Sequence, residues 1–211
     1  MNLIIDLQYF TSVMLFKNSN KFSNIVFEQY EYYQKMSFRN RCRIVGAEGV
    51  IDLSIPLQKG RDQKTLMKDV RISDLHPWQA RHWKTIVSCY SRSPWFEFYR
   101  DDLEGLYRKP FTFLMDWNWA CLEWTLGTLK LPVTVSLSEE YRKEYGEAGW
   151  VDWRGRILPK NGTGEELIEG VGQAPLKYRQ VFEERVGFIP NLSILDLIFC
   201  EGKRSAEMLN A

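Results

Sequence analysis

The chain has 211 residues with 28 basic against 27 acidic side chains, a balance that excludes a general nucleic-acid binder with its clear basic excess. Its length suits one domain over 1–211 with a sizeable core, and no stretch reaches the roughly 18 to 20 apolar residues that span a bilayer. Met1–Asp6 lacks the basic start and long apolar run of a secretory signal, and Cys42, Cys89, Cys121 and Cys200 form no Cys-x-x-Cys pair, so the expectation is a cytoplasmic protein with free thiols, no metal and no cofactor.

In chain order, Leu3-Ile-Ile-Asp-Leu7 is an apolar run suited to a buried strand, and a short helix is expected over Thr11–Phe16. Asn24-Ile-Val-Phe-Glu28 reads as a second buried strand, so the start has a strand–helix–strand form with parallel character. No glycine-rich phosphate loop follows Leu7, which counts against the Rossmann and P-loop versions of a nucleotide-binding domain. Next comes an arginine hairpin. Arg39, Arg41 and Arg43 alternate, which in an extended strand puts them on one face. The chain turns at Gly46-Ala-Glu-Gly49 and returns through Val50–Ile55. Three guanidiniums on one face need water, a carboxylate or a phosphate opposite.

After a polar loop and a short strand at Val70-Arg-Ile72, the middle is helical. Pro77 opens one helix, with Ser73 or Asp74 available as a cap, and Pro94 opens a second. A third runs from about Phe111 to Leu129, with Asn118 as a polar anomaly on its apolar stripe; a buried amide needs partners. Val133-Thr-Val-Ser136 reads as a further strand, and residues 138–175 as a polar, glycine-rich lid or surface excursion. Asn191–Phe199 is almost wholly apolar, with Ser193 and Asp196 spaced as a capping box and Gly202 placed to end the helix. The fold class expected is α/β, with a mixed, partly parallel central sheet, a β-hairpin insertion and flanking helices.

Several of these segments together resemble the WbqC-like family: Gln34-Lys-Met-Ser-Phe-Arg-Asn-Arg41, Leu53-Ser-Ile-Pro56, Arg81-His-Trp83 with Tyr90 and Ser93-Pro94, Tyr178-Arg-Gln-Val-Phe182, and Gly187–Leu197. The resemblance implies a bacterial O-antigen or surface-polysaccharide role, with transfer of glycine or another acyl group to a sugar. Many members open with a His-Gln-Pro segment; the corresponding stretch here, Asp6-Leu-Gln-Tyr-Phe-Thr11, has neither the His nor the prolines.

The family's Asn-Arg pair maps onto Asn40 and Arg41. An arginine can hold a phosphate or carboxylate bidentately and an asparagine can orient a hydroxyl or amide, while Lys35 adds a point charge. These three, with Asn118, are the expected substrate-binding residues for a small-molecule or lipid-linked sugar carrying phosphate. The plainer alternative for Arg41 is an ion pair with Glu28 or Glu31. His82 is the candidate general base because imidazole titrates near neutrality. Cys89 cannot assist it, since seven residues of helix separate the two by about 10.5 Å; Cys42 stays open as a partner. Against the enzyme reading stands a non-catalytic protein that binds an anionic glycan or nucleotide-sugar precursor.

Overall fold

The computed structural model describes residues 1–19, 21–146, 148–159 and 175–210. Strands β1 (Asn2–Asp6), β2 (Asn24–Glu28), β5 (Thr134–Leu137) and β6 (Trp150–Asp152) form one sheet in the order β5-β2-β1-β6, with every pair parallel. Leu3 to Asp6 and Ile25 to Glu28 are buried without alternation, as expected of central parallel strands covered on both faces. The connection from β1 to β2 runs through α1 (Val13–Ser19), the strand–helix–strand start expected from the sequence.

Strands β3 (Arg41–Gly46) and β4 (Gly49–Ser54) make a separate antiparallel hairpin. Helices α2 (Trp78–Tyr90), α3 (Phe96–Arg108) and α4 (Leu114–Leu129) follow, then α5 (Glu183–Val186), α6 (Ile194–Glu201) and α7 (Arg204–Asn210). The molecule is thus mixed α/β with a parallel main sheet, a hairpin and flanking helices. Among the described residues no helix is long and apolar enough to cross a membrane.

Four local expectations change. The strand expected at 70–72 is a pair of isolated bridges, Leu57 to Ile72 and Arg71 to Phe113. Pro77 precedes α2 without a side-chain cap; the Ser73 hydroxyl instead accepts from the Leu75 amide at 3.4 Å. Ser193 does cap α6, but Asp196 turns into the core instead of reaching back to complete a box. Inside the excursion expected over 138–175 lies β6, paired to β1; Glu147 and residues 160–174 of that stretch lie outside the described residues.

The topology fixes where a ligand site belongs. The chain moves outward from β1 to β2 to β5, then returns to place β6 on the other flank of β1. The strand order thus reverses at β1, with β2 reached on one side and β6 on the other, and in open α/β sheets the crevice beyond the carboxyl ends at such a reversal is the usual binding position.

Candidate functional site

At the carboxyl ends of β1, β2 and β6 the chain buries a cluster of charges. Asp6 closes β1, Glu28 closes β2 and Asp152 closes β6. The Asp6 carboxylate accepts from the Gly155 amide at 2.7 Å and from Gln8 Nε2 at 3.0 Å, and lies 3.5 Å from the Arg39 guanidinium. Arg39 also donates through Nε (3.0 Å) and Nη2 (2.5 Å) to Glu31, and through Nη1 (3.3 Å) to Gln34. Both Asp6 and Arg39 are 0% exposed, whereas the Glu31 side chain keeps 16% exposure at the rim.

A second guanidinium closes the other flank. Arg154 grips Asp152 at 2.6 Å, reaches Glu28 at 3.4 Å and donates to the carbonyls of Arg142 and Lys143. The rings of Tyr141 and Tyr145 lie against it, 5.6 and 5.0 Å from their centroids. Glu28 accepts further from the Ser138 hydroxyl and the Tyr30 amide, both at 2.8 Å. Beside this flank is a cavity of about 230 Å³ lined by Val26, Ser136, Ser138, Tyr145 and Trp150. Four carboxyl groups therefore face two guanidiniums, and a buried cluster with that imbalance favours keeping a proton. Burial pushes the Glu31 carboxyl up to about 7, against the pull of Arg39, and the Asp6 carboxylate adds to the rise.

The residues singled out from the sequence divide between this site and its supports. Asn118 is fully buried and donates through Nδ2 to the carbonyls of Leu7 (3.3 Å) and Arg39 (2.7 Å), tying the end of β1 to the arginine segment. Asn40 accepts from the Tyr33 hydroxyl and donates to the Ile55 carbonyl, each at 2.9 Å. Arg41 pairs with Asp52 across the hairpin at 3.2 Å, not with Glu28 or Glu31. Lys35 stands at the surface in an ion pair with Asp62. Asn40, Arg41 and Asn118 thus gather around one stretch of backbone, His82 reaches it through Ser54, the cross-strand partner of Arg41, and Lys35 stands apart.

His82 is buried on α2 between rings. Its Nδ1 meets the Tyr9 hydroxyl at 3.1 Å, that hydroxyl meets Tyr107 at 2.5 Å, and the imidazole also bonds the Ser54 carbonyl. Trp78 packs edge-on at 5.2 Å, so side chains fill the junction of α2 with the hairpin. Burial lowers the imidazole to about 4 against the Ser54 bond, which leaves a neutral ring with its nitrogens engaged. Burial likewise pushes the Cys42 thiol up to about 12, far from the thiolate a nucleophile requires.

Arg39 and Arg43, the two outer arginines of the alternating row, are buried. Arg43 bonds Asp52 and the Pro159 carbonyl. The sequence offered Glu31 only as a partner for Arg41 and gave Asp6 and Gln8 no role, because the contacts of Asp6 with Arg39 and Gly155 and of Gln8 with Ile157 are remote along the chain. The one available signal was an acidic residue closing each of two apolar strands. Elsewhere, a cavity of about 790 Å³ opens between the end of α2 and the 179–184 segment; Arg179 at its edge is already paired with Glu184.

The model of the WbqC-like protein family matches residues 8–172 of this chain. The uncharacterized protein Rv1507c of Mycobacterium tuberculosis is 25% identical over 206 residues, covering 88% of this chain and 86% of its own length. No solved structure matches at comparable stringency. The matched span covers well over half of the chain and takes in Gln8, Glu28, Glu31, Arg39, Asn118, Asp152 and Arg154, with β1 and Asp6 just ahead of it, and the chain belongs to the WbqC-like protein family.

Proposed function

We propose that this protein is a transferase that places an acyl or aminoacyl group on a sugar of bacterial surface-polysaccharide or O-antigen assembly, with its chemistry at the carboxyl ends of β1 and β2. The observation that carries the reading is Glu31: a rim carboxyl raised to about 7 beside a fixed guanidinium has the proton affinity a general base needs at neutral pH. In the transfer, Glu31 takes the proton from the acceptor hydroxyl or amine as that atom attacks the acyl carbon. The proton then passes to the departing donor group as its bond to the acyl carbon breaks. Arg39 holds the carboxylate in place through two of its nitrogens. The role first assigned to His82 suits Glu31 better, because a neutral imidazole near 4 is a weak base at pH 7; in this proposal His82 positions Tyr9. Lys35, Asn40, Arg41 and Asn118 are the proposed substrate-binding side chains, with Arg41 and Lys35 taking the phosphate of a small-molecule or lipid-linked sugar.

The test is to incubate the protein with nucleotide-sugars and acyl or aminoacyl donors and follow product by mass spectrometry. A product mass is expected, with its rate lowered by about 10²-fold or more in Glu31→Gln. One observation favours a second reading, a non-catalytic binder of an anionic precursor: Arg39 and Arg154 are already held by carboxylates and carbonyls, as in a structural cluster. Ligand-induced stabilisation without any product would select it.

A further inference from the structure

Two buried amides at the end of β1 have spent their donors and kept their acceptors. Gln8 is 1% exposed, and its Nε2 lies 3.0 Å from Asp6 Oδ2 and 3.4 Å from the Ile157 carbonyl. Both neighbours accept only, so this end of the amide must be the NH₂ group and the orientation is fixed. Its Oε1 then points away, buried and without a hydrogen-bond partner among the described residues. Asn118 repeats the pattern. Its Nδ2 faces the carbonyls of Leu7 and Arg39, and its Oδ1 is buried without a partner among the described residues. The two flank one peptide, for Asn118 holds the carbonyl of Leu7 and Gln8 is the next residue. A buried acceptor left unmatched costs about 1–3 kcal/mol, and a donor-bearing ligand would recover that.

The surrounding charge narrows the donor. Asp6, Glu28, Glu31 and Asp152 outnumber Arg39 and Arg154, and Asp6 is bonded directly to the Gln8 amide. A neutral hydroxyl would satisfy the amide oxygens but not the charge imbalance; an ammonium satisfies both, since it carries three donors and a positive charge. We propose that the end of β1 is a binding site for a primary ammonium group, received by the unmatched Gln8 Oε1 beside the surplus carboxylates, so that the sugar or aminoacyl substrate of this site carries a free amine. The cover over Gln8 is the segment after β6. It is clasped by the Gly155 amide on Asp6, by Gln8 on the Ile157 carbonyl at 3.4 Å, and by Arg43 on the Pro159 carbonyl at 3.0 Å. Of these, the Gln8–Ile157 bond is the longest.

This rests on the transferase reading for its substrate, but its test needs no turnover. The probe is methylammonium chloride on the full chain, compared at equal ionic strength with tetramethylammonium chloride, which has the charge and no N–H, and with sodium chloride. Methylammonium alone should raise the melting temperature, by about 3 °C once the site is largely filled. It alone should also shift the side-chain amide resonances of Gln8 in nitrogen-labelled protein. In Gln8→Met the difference between methylammonium and tetramethylammonium should vanish, whatever that variant's own stability. The amide measurement on the unaltered protein stands even if Gln8→Met fails to fold. Equal effects of the two cations, or Gln8 resonances that ignore methylammonium because ordered water holds the oxygen, would overturn the proposal. A methylammonium response in a protein that forms no product with any donor separates the two readings. A protein that transfers acyl groups yet ignores methylammonium separates them in the other direction.

Discussion

Glu31 and His82 sit within the same molecule but pull its stability in opposite directions with pH. Glu31, raised to about 7, binds its proton more tightly folded than unfolded. Its contribution is therefore greatest below about pH 4.5 and is lost as pH rises through 7. Asp196, raised by burial to about 6 with only the hydroxyls of Tyr90 (2.7 Å) and Tyr178 (2.8 Å) on its oxygens, acts in the same sense. His82, lowered to about 4, is the reverse: its contribution is full above about pH 6.5 and is lost on acidification towards 4. Each of the Glu31 and His82 effects amounts to about 3 kcal/mol at most. In the intact protein they largely offset each other between pH 4.5 and 6.5. Single variants should unmask them. Urea midpoints of Glu31→Gln should be nearly flat across that window, because Asp196 then offsets His82, whereas those of His82→Gln should fall with pH. Parallel curves for the two variants would show that the groups do not titrate as their burial requires.

Arginine alternation shows how far elements can be read from sequence. The hairpin itself was legible, because apolar alternation and the Gly46–Gly49 turn are local. The row of three was not, since β3 begins at Arg41 and the backbone bends before it: the Phe38 carbonyl accepts from the Tyr9 amide at 3.0 Å and from the Arg41 amide at 3.4 Å. That bend turns Arg39 inward, onto Glu31 and onto Asp6, the latter far earlier in the chain. Strand β6 escaped for a different reason. Three residues on a sheet edge carry no period, and only pairing with β1 defines them. Glycines divide in the same way between local and tertiary causes. Gly202 ends α6 with φ +56°, and a Cβ there would lie 2.2 Å from the Trp95 ring. Gly202→Ala should thus destabilise by roughly 2–4 kcal/mol, from the left-handed backbone and the clash together. Gly105 lies within α3 with open space around it, so Gly105→Ala should stabilise by about 0.5–1 kcal/mol. Chemical denaturation of both tests whether the two positions differ in sign.

At the scale of the molecule, the site depends on a segment that never touches it. Residues 192–194 run between the chain after β1 and the hairpin. The Leu192 carbonyl accepts from Val13 at 2.9 Å, the Ser193 amide donates to the Arg43 carbonyl at 2.8 Å, and the Ile194 amide donates to the Thr11 carbonyl at 2.9 Å. The Ser193 hydroxyl adds a bond to the Phe10 carbonyl at 2.8 Å. Two pieces that each carry part of the charge cluster, the Asp6–Gln8 end of β1 and the Arg39–Arg43 stretch, are thereby held in register from behind. The same segment feeds α6, whose Ile194, Leu195, Leu197, Ile198 and Phe199 are 0% exposed, as is Leu192 before it. At about 1.5–3 kcal/mol for each buried side chain, these six contribute on the order of 10 kcal/mol, comparable with the whole stability of a typical domain. A chain ending at residue 190 keeps every strand of the main sheet and every residue of the charge cluster. It should nevertheless lose its cooperative thermal transition and its near-ultraviolet circular dichroism. A truncated protein that kept both would show that the β1–hairpin junction holds without its backing, and that the cluster's geometry is set by its own ion pairs.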